Sequence, residues 1–306
     1  MRRLRLWIKA VRAPFFTATI CPIVLGATIG WYQTGHFNWI YFWLTLMGGI
    51  LMHTGTNLTN DYFDHITGND WVNRIKTPFS GGSRVIQQGE IPAGQILLVA
   101  LGAFALGGLI GLYLNHNLAG NMILAFGIIG VFLGFFYTAL PVKIGYRGFG
   151  LGELAVGIGF GPVMVLGAYY VQAEQITAQA VFASIPVGIL ITLVLYINEF
   201  PDYAADKSVN KMTLPVHLGK RAASRLYIIV VIANYILIVA GVVSGIMPAW
   251  TLVTLFTLPV AIKAMRTVRV HFDRIQELLP ANGATIVLHF SIGLLLAAGF
   301  ILDKLT

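Results

Sequence analysis

The chain has 306 residues, of which 57% are hydrophobic and only 10% charged. Soluble domains carry about 25% charged residues, so a water-facing globular surface is excluded and the chain reads as an all-α polytopic membrane protein. The formal charge of +8 then reflects membrane topology and attraction for anionic substrates, and requires no nucleic-acid partner.

Nine apolar stretches can each supply the roughly 20 residues of a bilayer-spanning helix. They are 11–32, 38–58, 96–115, 120–140, 152–171, 178–199, 226–246, 248–267 and 284–303. No removable signal peptide is read at the start, and residues 1–306 are expected to form a single transmembrane domain around a central cavity. Every Lys and Arg except Lys304 falls on one side of this arrangement. The segments concerned are Arg2 to Arg12, the 59–95 loop (Arg74, Lys76, Arg84), Lys143 and Arg147, the 200–225 loop, and Lys263 to Arg274. The positive-inside rule makes that side cytoplasmic. The expectation is a plasma-membrane protein with its N-terminus inside, its C-terminus opposite and its cavity open to the cytoplasm. Cys21 is the lone cysteine, which excludes an internal disulfide, and no Cys/His cluster has zinc spacing.

The second span ends in Asn57-Leu-Thr-Asn60-Asp61-Tyr62-Phe63-Asp64, and the sixth in Asn198-Glu199-Phe200-Pro201-Asp202-Tyr203-Ala-Ala-Asp206. Both lead into long loops on the basic side. Residues four apart share a helix face, so Asn57 aligns with Asp61, with Asp64 a turn further on. Asn198, Asp202 and Asp206 form a second column, provided the helix continues through Pro201. Two carboxylates 4 Å apart repel by about 4 kcal/mol at an effective dielectric of 20, so facing columns require either that some acids are protonated or that a cation is held among them. Carboxylate and amide oxygens suit Mg²⁺, with substrate phosphates completing the shell. Asn57, Asp61, Asp64, Asn198, Asp202 and Asp206 are therefore the expected metal ligands. A lone Asn or Asp at a helix end commonly caps it; two matched copies on one side point instead to a shared site. Arg84, following Gly81-Gly82-Ser83, together with Lys143, Lys207 and Lys211 adds cations to the same layer, and Tyr137 and Tyr146 add aromatic rings.

These residues resemble the UbiA superfamily of intramembrane prenyltransferases along essentially the whole chain. Asn60, Asp61 and Asp64 fit its N-D-x-x-D motif. Gly68 stands at the last acidic position and Asp70 two residues later, a form similar to the menaquinone-pathway branch that prenylates 1,4-dihydroxy-2-naphthoate. The second motif has Asn198 for its first Asp, then Asp202 and Asp206, and the run Asn210 to Gly219 is similar to G-K-x-T-L-x-V-x-L-G of that branch. Arg84 with Gly89 resembles R-P-L-x-x-G, with Val85 for the Pro, and Tyr137 and Lys143 resemble the aromatic and lysine of the loop after span four. The resemblance implies Mg²⁺-dependent transfer from a prenyl diphosphate to an aromatic acceptor, with no protein partner required. It implies catalytic roles for Asp61, Asp64, Asp202, Asp206 and Tyr137, and diphosphate binding by Arg84, Lys143 and Lys211. Other acceptors of the family are 4-hydroxybenzoate, homogentisate, haem and lipid glycerol. A transporter is a competing class, but it calls for acids nearer mid-span; Glu153, opening the fifth span, is the main exception. A scaffold gives no reason for matched acidic columns.

Overall fold

The computed structural model describes residues 2–73, 75 and 77–306. Arg74 and Lys76, read above as basic residues of the first long loop, lie outside the described residues. Among these every regular element is a helix. A short amphipathic helix, α1 (Arg2–Ala10), leads into α2 (Thr17–Thr34), α3 (Trp39–Ile66), the single turn α4 (Asn69–Val72), α5 (Ala93–Asn117) and α6 (Met122–Phe135). There follow α7 (Leu151–Ile158), α8 (Met164–Ala173), α9 (Ala178–Ser208), α10 (Leu214–Leu218), α11 (Lys220–Val243), α12 (Leu258–His271) and α13 (Ile275–Leu305).

Seven continuous helical stretches among the described residues are long and apolar enough to cross a membrane. The two other expected spans fall short for different reasons. Helix α3 has 28 residues, but Trp, Tyr, Thr and Gly residues dilute its first half and His, Asn and Asp its second, which keeps its apolar average low. Helix α6 is strongly apolar but has only 14 residues, about 21 Å at a rise of 1.5 Å per residue.

Local departures from regular helix have sequence causes. Gly159–Val163 is a π-turn between α7 and α8, where Pro162 supplies no backbone N–H. The expected span 248–267 opens as a 3₁₀ helix, Ala249–Thr257. Its three-residue repeat suits Thr251, Thr254 and Thr257, whose hydroxyls donate to the carbonyls of Pro248, Thr251 and Thr254 at 2.7, 2.8 and 2.6 Å. Helix α9 does continue through Pro201. The proline leaves the Ile197 carbonyl without its helical donor, and Asn282 on α13 supplies one at 3.1 Å.

The main core lies where α2, α8, α9, α11, α12 and α13 meet. Small residues permit the approach: a Cβ at Gly26 would collide with the Val165 carbonyl, and one at Gly293 with the Cys21 sulfur. The outer surface carries Leu98, Ile128, Ile236 and Phe256 exposed, as contact with lipid hydrocarbon requires.

Candidate active site

Helices α3 and α9 both end at the same end of the bundle, and the loops after them fold over a cavity of about 700 Å³. Its deep part is apolar, lined by residues such as Ile23, Leu44, Phe126 and Val163; its mouth is polar. One turn of helix advances 100° per residue, and this decides which motif residues reach the wall. On α3 the lining face runs His53, Asn57, Asn60, Asp64. On α9 it runs Val194, Asn198, Glu199, Asp202, Asp206. The second column is thus as read from sequence. In the first, Asn60 takes the place expected for Asp61.

Asp61 turns aside from that wall. Buried to 2% exposure, it accepts from the Arg12 guanidinium and the Ser83 hydroxyl. It thereby ties the end of α1 and the Gly81-Gly82-Ser83 loop to α3. Arg12 also donates to Asn60 Oδ1 at 3.0 Å and itself lines the cavity. Asp64 accepts from Tyr146 OH at 2.6 Å and from Asn60 Nδ2 at 3.0 Å.

The two motifs are joined by a pair of amides the sequence reading passed over. Asn73 Nδ2 donates to Asp202 Oδ1 at 2.8 Å, and Asn69 Nδ2 to Asp206 Oδ1 at 3.4 Å. Lys211 Nζ stands 3.5 Å from the same Asp206 oxygen. Burial alone would lower the Lys211 ammonium, but Asp206 and Asp64 outweigh it and hold the group well above its ordinary value. Asp70, beside the Gly82 backbone, is pushed up to about 7 by burial and then by Asp64 and Asp61.

The other expected cations sit further back. Arg84 donates to the main-chain carbonyls of Gly81, Asp70 and Asn73, which folds the loop that carries those residues; its side chain is spent on that loop. Lys143 lies over the Tyr146 ring at 5.1 Å, and Lys211 approaches the same ring at 5.5 Å. Of the two, only Lys211 lines the cavity. Tyr137 lines it as well, its ring seated on two glycines: a Cβ at Gly145 would lie 2.9 Å from its Cζ, and one at Gly152 3.5 Å from its hydroxyl. Asn57 donates to the Val11 carbonyl at 3.0 Å, and Asn198 Oδ1 accepts from Asn282 at 2.8 Å; both keep a place on the wall.

Among the described residues no three His, Cys, Asp or Glu side chains form a ready-made metal cage. What the mouth offers is a mixed set of amide and carboxylate oxygens. Two of them, Asp206 Oδ2 and Asn69 Oδ1, are buried with no hydrogen-bond partner. Unpartnered hard oxygens of this kind are costly unless a cation satisfies them, and they fit Mg²⁺ completed by substrate phosphate oxygens.

Residues 19–277 match the UbiA prenyltransferase family. The chain belongs to that family. Among its UbiA relatives, a 2-carboxy-1,4-naphthoquinone phytyltransferase of Synechocystis is 28% identical over 297 residues, 97% of this chain and 93% of the relative. A 1,4-dihydroxy-2-naphthoate octaprenyltransferase of Mycobacterium tuberculosis is 32% identical, covering 86% of each chain; one of Bacillus subtilis is 27% identical, covering 97% of this chain and 92% of its own. Solved UbiA structures share the fold. A homologue from Aeropyrum pernix superposes with a TM-score of 0.66 at 16% identity, covering 95% and 98% of the two chains. One from Archaeoglobus fulgidus, bound to GPP and Mg²⁺, gives 0.63 at 14% identity, covering 96% and 99%.

Proposed function

We propose that this UbiA-family chain moves a polyprenyl group from a prenyl diphosphate to 1,4-dihydroxy-2-naphthoate, with loss of CO₂ and diphosphate, in menaquinone biosynthesis. The observation that carries the reading is the single cavity in which acidic and amide side chains of α3, α4 and α9 meet at one end of a long apolar chamber. The naphthoate acceptor is supported by the relatives from Synechocystis, Bacillus subtilis and Mycobacterium tuberculosis, whose matches run along most of the chain.

Asp64, Asn69, Asn198, Asp202 and Asp206 would hold Mg²⁺, with Asn57 and Asp61 bracing the first helix; bound there, the metal supplies Lewis-acid neutralisation of charge on the departing diphosphate. Lys211 and Arg12 line the mouth and donate charge-assisted hydrogen bonds to diphosphate oxygens. Arg84 and Lys143 support this layer from behind, Arg84 by shaping the loop and Lys143 through Tyr146. Tyr137 presents an electron-rich ring to the allylic carbon as positive charge develops there. The apolar chamber accommodates the isoprenoid tail and keeps water from the cation. The basic residues gathered at this end support a cytoplasmic mouth, an inside N-terminus and a C-terminus across the plasma membrane.

The test is a membrane assay pairing radiolabelled prenyl diphosphates with a panel of aromatic acceptors, with and without Mg²⁺. Prenylated naphthoquinol formed only with metal is the expected result. Solute flux in proteoliposomes with no prenylated product from any acceptor would overturn the reading.

A further inference from the structure

A group of cations lies away from the cavity, on the outside of the bundle. Lys220, at the start of α11, pairs at 3.2 Å with Asp273, just past the end of α12. These neighbouring helices therefore have those ends together, on the side where α9 delivers the second acidic motif. There Arg221 and Arg225 of α11 and Lys263, Arg266 and Arg269 of α12 are all exposed. None of the five lines the cavity, and among the described residues none has an ion-pair partner. The acids that follow α12 in the chain are Asp273, engaged by Lys220, and Glu277 on the first turn of α13.

Their placement is not that of loop charges. Arg221, Arg225, Ile229, Ile232 and Ile236 recur at helical intervals of three and four and share one face of α11; the three isoleucines are exposed. On α12, Ala261, Ala264 and Val268 are buried, and the opposite face carries the three cations together with exposed Ile262 and Val270. Both cationic stripes thus continue the surface that meets lipid. Lys263 lies eight residues before His271, the end of α12, about 12 Å along the axis. A headgroup layer is about 5–8 Å thick, so Lys263 starts beneath it and reaches back up along its apolar stem. The positive-inside rule accounts for cations in loops; it gives no reason for cations on the lipid face within a span.

The chemistry of the patch selects its ligand. Guanidinium forks match phosphate oxygens in bidentate fashion. A zwitterionic headgroup would bring a further ammonium among five cations. A lipid phosphate with no counter-cation of its own, as in phosphatidylglycerol or cardiolipin, leaves its charge free for the arginines. We propose that the outer face of α11 and α12 binds the headgroup of an anionic phospholipid in the leaflet on the cavity-mouth side. Arg225, Arg266 and Arg269 engage the phosphate, and Ile229 and Ile262 lie against the acyl chains. The site is separate from the reaction proposed above.

The experiment uses the full chain in neutral detergent, titrated with phosphatidylglycerol, cardiolipin or phosphatidylcholine, with bound lipid counted by native mass spectrometry. Two charge-matched double variants are compared. One combines Arg225→Gln and Arg266→Gln; the other combines Arg3→Gln and Arg5→Gln on the equally basic α1. Each cation near an anionic lipid surface contributes about fivefold in affinity. Wild type is expected to retain phosphatidylglycerol and cardiolipin saturably and to release phosphatidylcholine. The α11–α12 pair should weaken that retention about tenfold or more, while the α1 pair stays near wild type. Melting temperature without added lipid should be unchanged in both, which separates lost binding from lost folding. Arg225→Lys with Arg266→Lys, keeping the charge without the fork, should recover part of the loss. Equal losses in the two Gln pairs would reduce the effect to overall charge and overturn the inference. Equal retention of phosphatidylcholine would overturn it as well, and so would displacement of bound lipid by inorganic phosphate at matched concentration, which would make this a site for free anions.

Discussion

The Asn73 amide lies 2.8 Å from the Asp202 carboxylate, so the loop following the first acidic helix is pinned to the second. Neither motif holds its shape independently of the other. Replacing Asn73 by Ala removes a donor to a charged group, a contact worth about 1.5–3 kcal/mol. The expected outcome is a rise in KM for prenyl diphosphate of about tenfold or more, read in steady-state kinetics at saturating acceptor.

Asp61, buried, and Arg12, half-buried, form one unit with Ser83. Removing the buried carboxylate strands the Arg12 charge, at a cost that its partial exposure to solvent reduces below that of a fully buried pair. Asp61→Ala is therefore expected to lose both thermal stability and activity. In a double-mutant cycle Asp61→Asn and Arg12→Gln should be far from additive. Additive losses in melting temperature would mean that the two residues act separately.

Asp202→Ala and Asp206→Ala are expected to abolish Mg²⁺-dependent product while the helical bundle persists by circular dichroism. Lys211→Met should raise KM for prenyl diphosphate and leave acceptor KM unchanged, since its ammonium faces Asp206 and the mouth rather than the apolar chamber.

Asp70 makes a pH prediction. Its carboxyl rises from 3.8 to about 7 in the folded chain because of burial and its acidic neighbours. A carboxyl raised in this way favours the folded state below pH 4 and loses that contribution as pH climbs toward 7. Melting temperature without Mg²⁺ is expected to fall across that window, and Asp70→Asn should flatten the fall. Stabilisation by added Mg²⁺ should grow with pH as the cluster ionises; a pH-independent shift would dissociate Asp70 from the cation.

Gly130 lines the cavity, and a Cβ there would meet nothing nearer than the Val163 side chain at 4.0 Å. Gly130→Leu should fold and shorten the space available to the tail. Competition between prenyl diphosphates of different length would show a shift toward shorter products.

The sequence exposed the helical class and the α9 column because both depend on short-range spacing: Asn198, Asp202 and Asp206 remain one face through Pro201. The α3 column was half legible. Asn57, Asn60 and Asp64 share the wall, whereas a three- or four-residue rule admits Asp61 equally well, and only the approach of Arg12 and Ser83 draws it aside. Arg12 was hidden among basic residues that membrane topology alone explains. Asn69 and Asn73 carry no local pattern; their role arises from a loop folded back across more than a hundred residues of chain. Glu199 also lines the cavity, and its place beside Asn198 in the second motif is the local signal for it. Arg84 was placed in the right layer, but how its donors are used depends on the shape of the loop itself.

Asn282 completes the interrupted turn of α9 from the last helix, and this bears on biogenesis. A nascent chain halted before α13 already contains both acidic motifs, yet its sixth-span turn has a bare carbonyl and Asn198 has no anchor. The acidic end of α9 therefore reaches its full set of hydrogen bonds only once α13 has packed against it.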